Sequence, residues 1–567
     1  MSAWSGSDPG SRSGHHPGDH LLDRLRRRAV ERGGEAAVLF AEDGAGPPTA
    51  LTWAELDGLA RRARAGLEAL GLRRGDRILL MLPTGPDHLG LLLGAFTAGI
   101  VPSTLPAFGG PGGEPGDGVA AGQELAELVA TLAPRLAVAA KPLPVASVAT
   151  VAPEAIFAAP PSDKALDIAG PHDPAYVQFT SGSTGRPRGI ALTWPAILAN
   201  LHAIAQRAPI TPRDHLVSWL PMYHDMGLFG GLLTPLAVGA RMTLLDTRQF
   251  INGPLVWFRI IEAGRGTITV TPPSALQTCM QMLVRRTVSC DLSSLDQIIC
   301  GAEPVSQRFV RSVADNLTRF GLKPTALRPV YGLAEATLAV SFPPEPRIPR
   351  VDHIERTAFE TLGVATPAET TADDARAWVS AGTPLAGTEL RIADDDGAER
   401  PDRRVGRILL RSASLYAGYI EAGAFRRRTE EWFDTGDLGY LADGEIYVTG
   451  RRKDLIIKNG RNYSPDRMEE LVCLVDGVRR ATAFGLFDEE RATEKIVVLA
   501  EARPRDVSDA AGRDGLRMNI RRELTHAGYT VDVVSFVERG SLPRTTSGKV
   551  RRQLCRELFA QQTLAVS

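Results

Sequence analysis

The sequence predicts an α/β protein: a large N-terminal domain of stacked, mainly parallel sheets covered by helices, with a small β region, and then a small, mobile α+β domain. Short apolar runs such as Arg77–Leu82 alternate with segments of helical periodicity through much of the first 340 residues. From Gly382 onward, strand-like alternation indicates a smaller β region. The last segment, from Lys453, mixes short strand patterns with helical ones over roughly 110 residues, which is typical of a compact module.

The composition is that of a globular protein without an extreme charge. The chain has 567 residues, of which 44% are hydrophobic and 23% are charged. Its 65 basic and 66 acidic residues give a formal net charge of -1, which provides no general attraction to nucleic acid or to an anionic membrane. The sequence contains no run of about 18 consecutive apolar residues, so it predicts no membrane-spanning helix. The odd number of cysteines, five, suits a reducing compartment, so we expect a cytoplasmic protein.

The first half of the chain supplies most of the predicted elements. Residues 1–20 are rich in Ser, Gly, Pro and His and lack the apolar core of a signal peptide, so a flexible leader is expected. Apolar residues at helical spacing predict three helices, at residues 21–32, 52–70 and 87–99. The run Arg77–Leu82 is typical of a buried parallel strand. Residues 107–118, which are rich in Gly and Pro, and residues 144–174, which show little periodicity, predict connecting loops.

The clearest candidate site is a run of glycine and hydroxyl residues after the predicted strand Tyr176–Phe179. The run consists of Thr180, Ser181, Gly182, Ser183, Thr184 and Gly185, and Arg188 follows closely. Glycines let backbone N–H groups surround an anion, and hydroxyl and guanidinium groups donate to phosphate oxygens. No lysine follows as in a Walker loop, and the run is not a G-x-G-x-x-G fingerprint. It therefore predicts a phosphate cradle of another type, although alone it also fits a Ser/Gly-rich hairpin or linker.

Four more segments follow this run in a fixed order. They are Tyr331–Glu335 (YGLAE), Phe433–Leu438 (FDTGDL), Gly450–Asp454 (GRRKD) and Thr546–Lys549 (TSGK). Together with Thr180–Gly189, they resemble the signatures of the acyl-adenylate-forming superfamily, which includes acyl-CoA synthetases, adenylation domains of peptide synthetases and luciferases. The resemblance extends over most of the chain. It implies the fold of that superfamily, the use of ATP and Mg²⁺, and no tightly bound organic cofactor.

The resemblance also implies where the adenosine would bind. Tyr331 would stack on the adenine, the 301–303 backbone would lie beside the base, and Asp437 would accept hydrogen bonds from the ribose hydroxyls with help from Arg451. The expected adenosine-binding residues are Gly301, Ala302, Glu303, Tyr331, Gly332, Asp437 and Arg451. The cradle residues and Arg188 would hold the phosphates.

Two residues are implied to be catalytic and one to be a hinge. Glu335 would hold Mg²⁺ between phosphate oxygens, since a carboxylate is a suitable ligand for this hard cation. Lys549 resembles the superfamily's C-terminal lysine, which bridges the acid's carboxylate and the α-phosphate, where positive charge is needed as two anions approach. Lys453 stands at the position about which the C-terminal domain of relatives rotates. The expected domains are a leader at 1–20, an adenylation domain at 21–452 and a mobile domain at 453–567.

Within the superfamily, three features favour the fatty acyl-AMP ligase branch. The segment 218–228, SWLPMYHDMGL, resembles the acyl-pocket motif of that branch, and the segment 331–341, YGLAEATLAVS, is also similar. The first of these nominates four acyl-pocket residues, His224, Asp225, Met226 and Gly227. Gly382 follows Glu335 by 47 positions, which leaves room for the branch-specific insertion, at about 350–378. In that branch the insertion disfavours CoA, so the expected acceptor is the phosphopantetheine thiol of a separate holo acyl carrier protein.

The sequence-based hypothesis is therefore an enzyme of lipid metabolism or natural-product assembly. It would convert a fatty or short aliphatic carboxylic acid to acyl-AMP, release pyrophosphate and pass the acyl group to the carrier thiol. Arg188 departs from the superfamily pattern, which usually has lysine there; arginine keeps the charge but presents a planar fork. Three alternatives stay open: an acyl-CoA ligase of the same fold, a member that performs one half-reaction, and a nucleotide-binding regulator, against which the presence of Lys549 argues.

Overall fold

The computed structural model describes residues 20–41, 46–107, 118–180, 188–286, 289–372, 374–489, 491, 493–544 and 550–564. The predicted leader and most of the predicted loop at 107–118 lie outside these residues. None of the helices in the described ranges is long and apolar enough to cross a membrane.

The strands are short, as expected for an α/β protein. In chain order they are β1 Ala36–Ala41, β2 Thr49–Thr52, β3 Arg77–Met81, β4 Val101–Thr104, β5 Leu136–Ala139, β6 Thr150–Val151, β7 Tyr176–Thr180, β8 Arg188–Leu192, β9 His215–Ser218, β10 Arg241–Leu245, β11 Ile268–Thr271, β12 Gln297–Cys300, β13 Leu327–Pro329, β14 Tyr331–Gly332, β15 Ala339–Phe342, β16 Val351–Glu355, β17 Ala375–Val379, β18 Thr383–Pro384, β19 Thr388–Ala393, β20 Gly406–Ser412, β21 Gly418–Glu421, β22 Ala424–Arg427, β23 Phe433–Ala442, β24 Glu445–Arg451, β25 Ile456–Lys458, β26 Arg461–Tyr463, β27 Val478–Asp488, β28 Thr493–Ala502 and β29 Val533–Val537.

Helices lie between most of the parallel strands. They are α1 Leu21–Glu31, α2 Trp53–Ala69, α3 Pro86–Thr97, α4 Gly118–Leu132, α5 Pro153–Phe157, α6 Trp194–Arg207, α7 Thr234–Val238, α8 Thr247–Asn252, α9 Leu255–Gly264, α10 Pro273–Arg286, α11 Gln307–Leu317, α12 Arg356–Leu362, α13 Pro465–Val472, α14 Ala510–His526 and α15 Arg552–Ala560. A π-helix of eight residues spans Met226–Leu233. Short 3₁₀ turns occur at Thr318–Phe320, Ala334–Ala336, Arg452–Asp454 and Pro504–Asp506.

The largest sheet has the strand order β13-β12-β11-β9-β10-β1-β2. Its strands pair in parallel except for the edge strand β2, which is antiparallel to β1. Strands β9, β11 and β12 are buried along their whole length. Burial of every residue of a strand is expected where helices cover both faces of a parallel sheet. The carboxyl ends of β9, β11, β12 and β13 therefore meet at one edge.

Two smaller sheets complete the N-terminal part. One is parallel, in the order β4-β3-β5-β6, and the other is antiparallel, in the order β22-β21-β8-β7. In the antiparallel sheet, Thr180 at the end of β7 pairs with Arg188 at the start of β8. The phosphate-cradle run is therefore the connection between two paired strands, and its residues Ser181–Gly185 lie outside the described part of the chain.

The predicted α/β class is confirmed, and so are the individual elements β3, β7, α1, α2 and α3. The prediction that residues 144–174 form only a connecting stretch is wrong, because they contain β6 and α5. Strand β6 has only two residues and pairs with β5 through long-range contacts, so it leaves no periodic pattern. Helix α5 is one turn long and begins at Pro153, whose fixed φ suits the first helical position.

The later segments form separate sheets. Strands β19, β20, β23 and β24 make an antiparallel sheet, and β16 and β17 pair across the stretch that contains the predicted insertion. Strands β27, β28 and β29 form a sheet of their own, next to the hairpin β25–β26. Side chains between Ile456 and Phe536 pack into a core distinct from that of the large sheet. The predicted domain boundary at 452/453 stays a prediction.

Arg328 supports the strand that leads into the Tyr331 segment. It lies in β13 and is fully buried. Its Nη1 donates to Gln297 Oε1 (2.5 Å), and its Nη2 donates to the carbonyl oxygens of Pro343 (2.7 Å) and Arg207 (3.2 Å). Burial lowers the pKa of this guanidinium to about 10, and the neighbouring Arg207 contributes to the shift. Loss of this guanidinium would be costly, because each buried acceptor oxygen would lose a charged hydrogen-bond donor.

We predict that Arg328→Met lowers the free energy of unfolding by at least about 2 kcal/mol, since it leaves buried oxygen atoms without donors. Arg319→Met removes an exposed arginine from the same region and should have little effect. Urea denaturation of both variants measures the difference. Equal stability of the two variants would show that the network around Arg328 is not a structural support.

Candidate functional site

A cavity of about 3310 Å³ opens at the carboxyl edge of the large sheet. Parallel α/β sheets commonly bind ligands at this edge, because the loops after the strands converge there. The predicted site residues that line it are Thr180, Arg188, His224, Asp225, Met226, Gly301, Ala302, Glu303, Tyr331, Gly332, Glu335, Asp437, Arg451 and Lys453. Residues that are far apart in the sequence are thus brought together. Lys549 and the cradle residues Ser181, Gly182, Ser183, Thr184 and Gly185 lie outside the described residues.

Asp437 is held between a phenol and a guanidinium. The Tyr331 hydroxyl donates to Asp437 Oδ2 (2.7 Å), and Arg451 Nε lies 3.1 Å from Asp437 Oδ1. Asp437 and Arg451 are direct partners in the register of β23 and β24. Burial and the Asp437 carboxylate raise the pKa of the Tyr331 phenol well above its usual value, so the phenol stays a donor. This arrangement fixes a tyrosine ring, a carboxylate and a partly exposed arginine at the cavity wall, and all three types of group bind nucleosides readily.

The Gly301–Glu303 turn follows β12 and lies beside the Tyr331 segment. A Cβ on Gly301 would come within 2.8 Å of Val330 Cγ2, so only glycine fits against this neighbour. Ala302 has a φ of 68°, in the left-handed region. The Glu303 carboxylate accepts hydrogen bonds from Ser274 N (3.0 Å) and Ser274 Oγ (2.9 Å). The turn therefore has a constrained shape, and its three residues lie at the cavity wall.

Glu335 lies in the short turn Ala334–Ala336, after β14. Burial raises the pKa of its carboxyl above the usual value; the Asp225 and Asp437 carboxylates add to the effect, while Arg451 opposes it. A desolvated carboxylate near two others gains most from a bound cation. In the described part of the chain, no group of three His, Cys, Asp or Glu side chains could hold a metal by itself. Mg²⁺ commonly takes one or two carboxylates and completes its shell with water and phosphate oxygens, so Glu335 fits a magnesium that arrives with a nucleotide.

Arg188 stacks on Tyr419. Its guanidinium carbon lies 5.4 Å from the centroid of the Tyr419 ring, and Tyr419 lies on β21, which pairs with β8. A planar guanidinium stacks on an aromatic face better than an ammonium does. This contact gives a physical reason for arginine at a position where the superfamily that the motifs resemble usually has lysine. The sequence could not reveal it, because β21 is more than 200 positions away from Arg188.

The predicted acyl-pocket residues are only partly on the cavity wall. His224, Asp225 and Met226 line it, whereas Gly227 is not among the described lining residues. A Cβ on Gly227 would lie 2.2 Å from the Pro221 carbonyl oxygen. The glycine therefore allows the backbone at 227 to approach the backbone at Pro221 closely. Asp225 accepts a hydrogen bond from the N–H of Met226 (2.7 Å) at the start of the 226–233 π-helix.

Gln178 is a lining residue that the sequence analysis missed. It is a buried polar residue in the otherwise apolar strand β7, and its Nε2 donates to the carbonyl oxygen of Tyr223 (2.8 Å), beside the predicted acyl-pocket residues. The signal was present, because a glutamine between Val177 and Phe179 interrupts an apolar strand. The hydrogen bond connects β7, which leads into the phosphate cradle, to the 218–226 segment.

A cluster of charges surrounds the predicted hinge. Arg552, the first residue of α15, contacts Asp454 (2.6 Å), Asp466 (2.6 Å) and Glu469 (2.9 Å). Lys453 precedes Asp454 directly, and burial lowers the pKa of its ammonium group. The start of α15 is therefore tied to the turn that contains the hinge candidate.

The segment 351–379, which contains the predicted insertion, contacts the C-terminal part of the chain. Arg356, at the start of α12, donates from Nη1 to the carbonyl oxygen of Ala527 (3.0 Å), just after α14. Its Nε donates to Asp374 Oδ1 (2.9 Å), within the same segment. Arg356 thereby links the segment to Ala527, the residue that follows α14.

Comparison with known proteins agrees with this arrangement. The family model described as AMP-binding enzyme matches residues 25–420. A long-chain-fatty-acid–AMP ligase, FadD26, of Mycobacterium marinum is 30% identical, with 94% of this chain and 96% of the relative covered. A putative acyl-CoA synthetase of Caulobacter vibrioides is also 30% identical, with 89% of each chain covered.

A solved structure from structural and functional studies of fatty acyl-adenylate ligases from E. coli and L. pneumophila superposes with a TM-score of 0.87. It is 30% identical, and the match covers 97% of this chain and 99% of that one. The matches extend over nearly the whole chain and include the segments that form the cavity. The chain therefore belongs to the AMP-binding enzyme family, which is the acyl-adenylate-forming superfamily that its motifs resemble.

Proposed function

We propose that this enzyme activates a fatty or short aliphatic carboxylic acid with ATP to give acyl-AMP and pyrophosphate. The observation that carries the proposal is the single cavity that joins the Tyr331–Asp437–Arg451 group, the Glu335 carboxylate and the 224–226 segment. The first suits a nucleoside, and the second suits Mg²⁺ on its phosphates. The third lines a cavity that Trp219, Leu220 and Phe250 also line, and these apolar side chains suit an acyl chain. The named fatty-acid–AMP ligase relative supports the same reaction.

In the proposed adenylation step, a carboxylate oxygen of the acid forms a bond to the α-phosphorus, and the bond from that phosphorus to the pyrophosphate oxygen breaks. No proton has to move. Both reactants are anions, so the step depends on positive groups that offset the developing charge. Arg188 would serve the phosphates, Lys549 the carboxylate and α-phosphate, and Asp437 with Arg451 the ribose. Mg²⁺ on Glu335 would neutralise phosphate charge.

For the second step, we propose that the phosphopantetheine thiol of a separate holo acyl carrier protein takes the acyl group. The thiol sulfur bonds to the acyl carbon, AMP leaves and the thiol proton is released. The Arg356–Ala527 hydrogen bond supports this choice, because it connects the segment of the proposed branch-specific insertion to the C-terminal part. The competing acceptor is CoA. It is suggested by the relative that is named a putative acyl-CoA synthetase.

The domain organisation that we propose is an adenylation domain at 21–452, with the insertion at about 350–378, and a mobile domain at 453–567 that rotates at Lys453. The separate core between Ile456 and Phe536 supports this division. The cytoplasmic location is proposed from the sequence alone.

We predict that the enzyme exchanges labelled pyrophosphate into ATP when a suitable acid is present, and that Lys549→Ala lowers this exchange by roughly 100-fold or more. The loss follows from removal of the positive charge between carboxylate and α-phosphate. Lys323→Ala, at an exposed lysine, is the control. Exchange with none of a panel of aliphatic acids would refute the proposed function, and normal exchange by Lys549→Ala would refute the role of this lysine.

We predict that transfer to a holo carrier protein is at least about tenfold faster than transfer to CoA, and that Arg356→Ala narrows this difference by loosening the link to Ala527. The measurement is single-turnover transfer from preformed acyl-AMP to each thiol. Arg426→Ala, at an arginine with a largely exposed side chain, serves as the control. Efficient acyl-CoA formation by the unmodified enzyme would contradict the choice of acceptor.

We predict that the Mg²⁺ concentration for half-maximal exchange rises as the pH falls. The rise should begin at a pH above the usual pKa of a glutamate side chain. The raised pKa means that Glu335 takes up a proton, and ceases to be a ligand, at a higher pH than an exposed glutamate does. Glu335→Gln should need roughly tenfold more Mg²⁺ and lose this pH dependence. The comparison of the two enzymes cancels the protonation of ATP itself. Parallel pH profiles would contradict the assignment.

A further inference from the structure

Asn200 is a buried polar residue that neither the motifs nor the cavity lining explains. It lies in the middle of α6 and is 1% exposed. Its side chain makes two hydrogen bonds, both to one residue: Nδ2 donates to the carbonyl oxygen of Ala339 (2.8 Å), and Oδ1 accepts from the N–H of Ala339 (3.0 Å). A helix side chain thus binds both backbone groups of a single residue in β15, 139 positions away in the sequence.

These two hydrogen bonds take the place of the backbone pairing that a neighbouring strand would provide for Ala339. The neighbour of β15 on its outer side is β18, which has only two residues and pairs with Ser341 and Phe342. The pairing stops before Ala339, so the outward N–H and C=O of Ala339 have no strand partner. The carboxamide of asparagine offers one donor and one acceptor side by side, as a peptide unit does. Aspartate would supply acceptors without the donor, and alanine would supply neither.

Ala339 closes the hairpin that carries Glu335. On its inner side it pairs with Gly332, and the N–H of Leu333 donates to the carbonyl oxygen of Leu338 (2.8 Å). The hairpin has little freedom there, since a Cβ on Gly332 would lie only 2.0 Å from the Leu338 carbonyl oxygen. The position of the Glu335 turn therefore depends on the position of Ala339 at the base of the hairpin.

The other side of the turn is held independently. Thr337 has a φ of 67°, and its Oγ1 donates to the carbonyl oxygen of Ser414 (2.9 Å). The N–H of Tyr416 donates to the carbonyl oxygen of Glu335 itself (2.7 Å). The 414–416 segment thus fixes the outer side of the turn, and Asn200 fixes the base of the hairpin from α6. Loss of the Asn200 contacts would remove the support that α6 gives to the base of the hairpin, while the contacts of the 414–416 segment would remain.

We propose that Asn200 is a positioning residue for the metal-bound nucleotide: its carboxamide holds Ala339 so that the Glu335 carboxylate stays where Mg²⁺ on the phosphates can reach it. This inference rests on the proposed function, since it requires that Glu335 binds Mg²⁺. Asn200 itself touches neither the metal nor the substrate, because it acts through the backbone of the hairpin. Groups that orient metal ligands in this way commonly change metal affinity by about 10- to 100-fold when they are removed.

The test uses the full chain and two variants, Asn200→Ala and the nearly isosteric Asn200→Asp. The main measurement is the binding of a non-hydrolysable ATP analogue, titrated at a series of Mg²⁺ concentrations by calorimetry. Amide hydrogen exchange of the 331–342 peptide reports the hairpin directly. Asn316→Ala is the matched control, because the Asn316 carboxamide donates to Ser312 of its own helix.

Both Asn200 variants should need roughly tenfold more Mg²⁺ to bind the analogue, and their 331–342 peptide should exchange faster, while Asn316→Ala behaves like the unmodified enzyme. A role in stability alone would lower the fraction of folded protein without moving the Mg²⁺ dependence of the folded part. An unchanged Mg²⁺ dependence in Asn200→Asp, with or without faster exchange, would overturn the proposal. If the unmodified enzyme bound the analogue without any Mg²⁺ dependence, the proposed function itself would fail.

Discussion

The bridge of Asp437 between Tyr331 and Arg451 is the interaction on which the rest of the site depends. It joins the end of the large parallel sheet, through β14, to the antiparallel sheet that contains β23 and β24. A largely buried carboxylate needs such partners, because desolvation without them would favour its neutral form. The same bridge forms the part of the cavity wall that we propose binds the nucleoside, and it places a negative charge near Glu335.

The surroundings extend this constraint into a rigid frame. Strands β12 and β13 end side by side, so the 301–303 turn and the Tyr331 segment meet at one edge without any special linker. Hydrogen bonds of Arg328 support β13, and hydrogen bonds of Asn200 support the hairpin that follows β13. These supports come from helices and strands and not from the loops themselves. Catalysis by positioning requires this, because small displacements of charged groups weaken their effect on the transition state.

The sequence predicted the parts of this molecule that leave local signals. Apolar runs and helical spacing predict β3, β7, α1, α2 and α3, and the ordered motifs nominate Tyr331, Glu335 and Asp437. Contacts between distant segments left no such signal. The stacking of Arg188 on Tyr419, the bonds of Asn200 to Ala339 and the two-residue strand β6 all depend on pairings that only the folded chain creates. Gln178 has a local signal, as a polar residue in an apolar strand, but nothing in the sequence indicates its partner Tyr223.

The central claim is that a carboxylate oxygen attacks the α-phosphorus of ATP in this cavity. Its most direct test supplies an aliphatic acid labelled with ¹⁸O in both carboxyl oxygens, lets the enzyme transfer the acyl group to a thiol, and analyses the products by mass spectrometry. The account predicts one ¹⁸O atom in AMP and none in pyrophosphate, because the oxygen that forms the new bond to phosphorus leaves with AMP. Label in pyrophosphate or in inorganic phosphate, with unlabelled AMP or ADP, would contradict it.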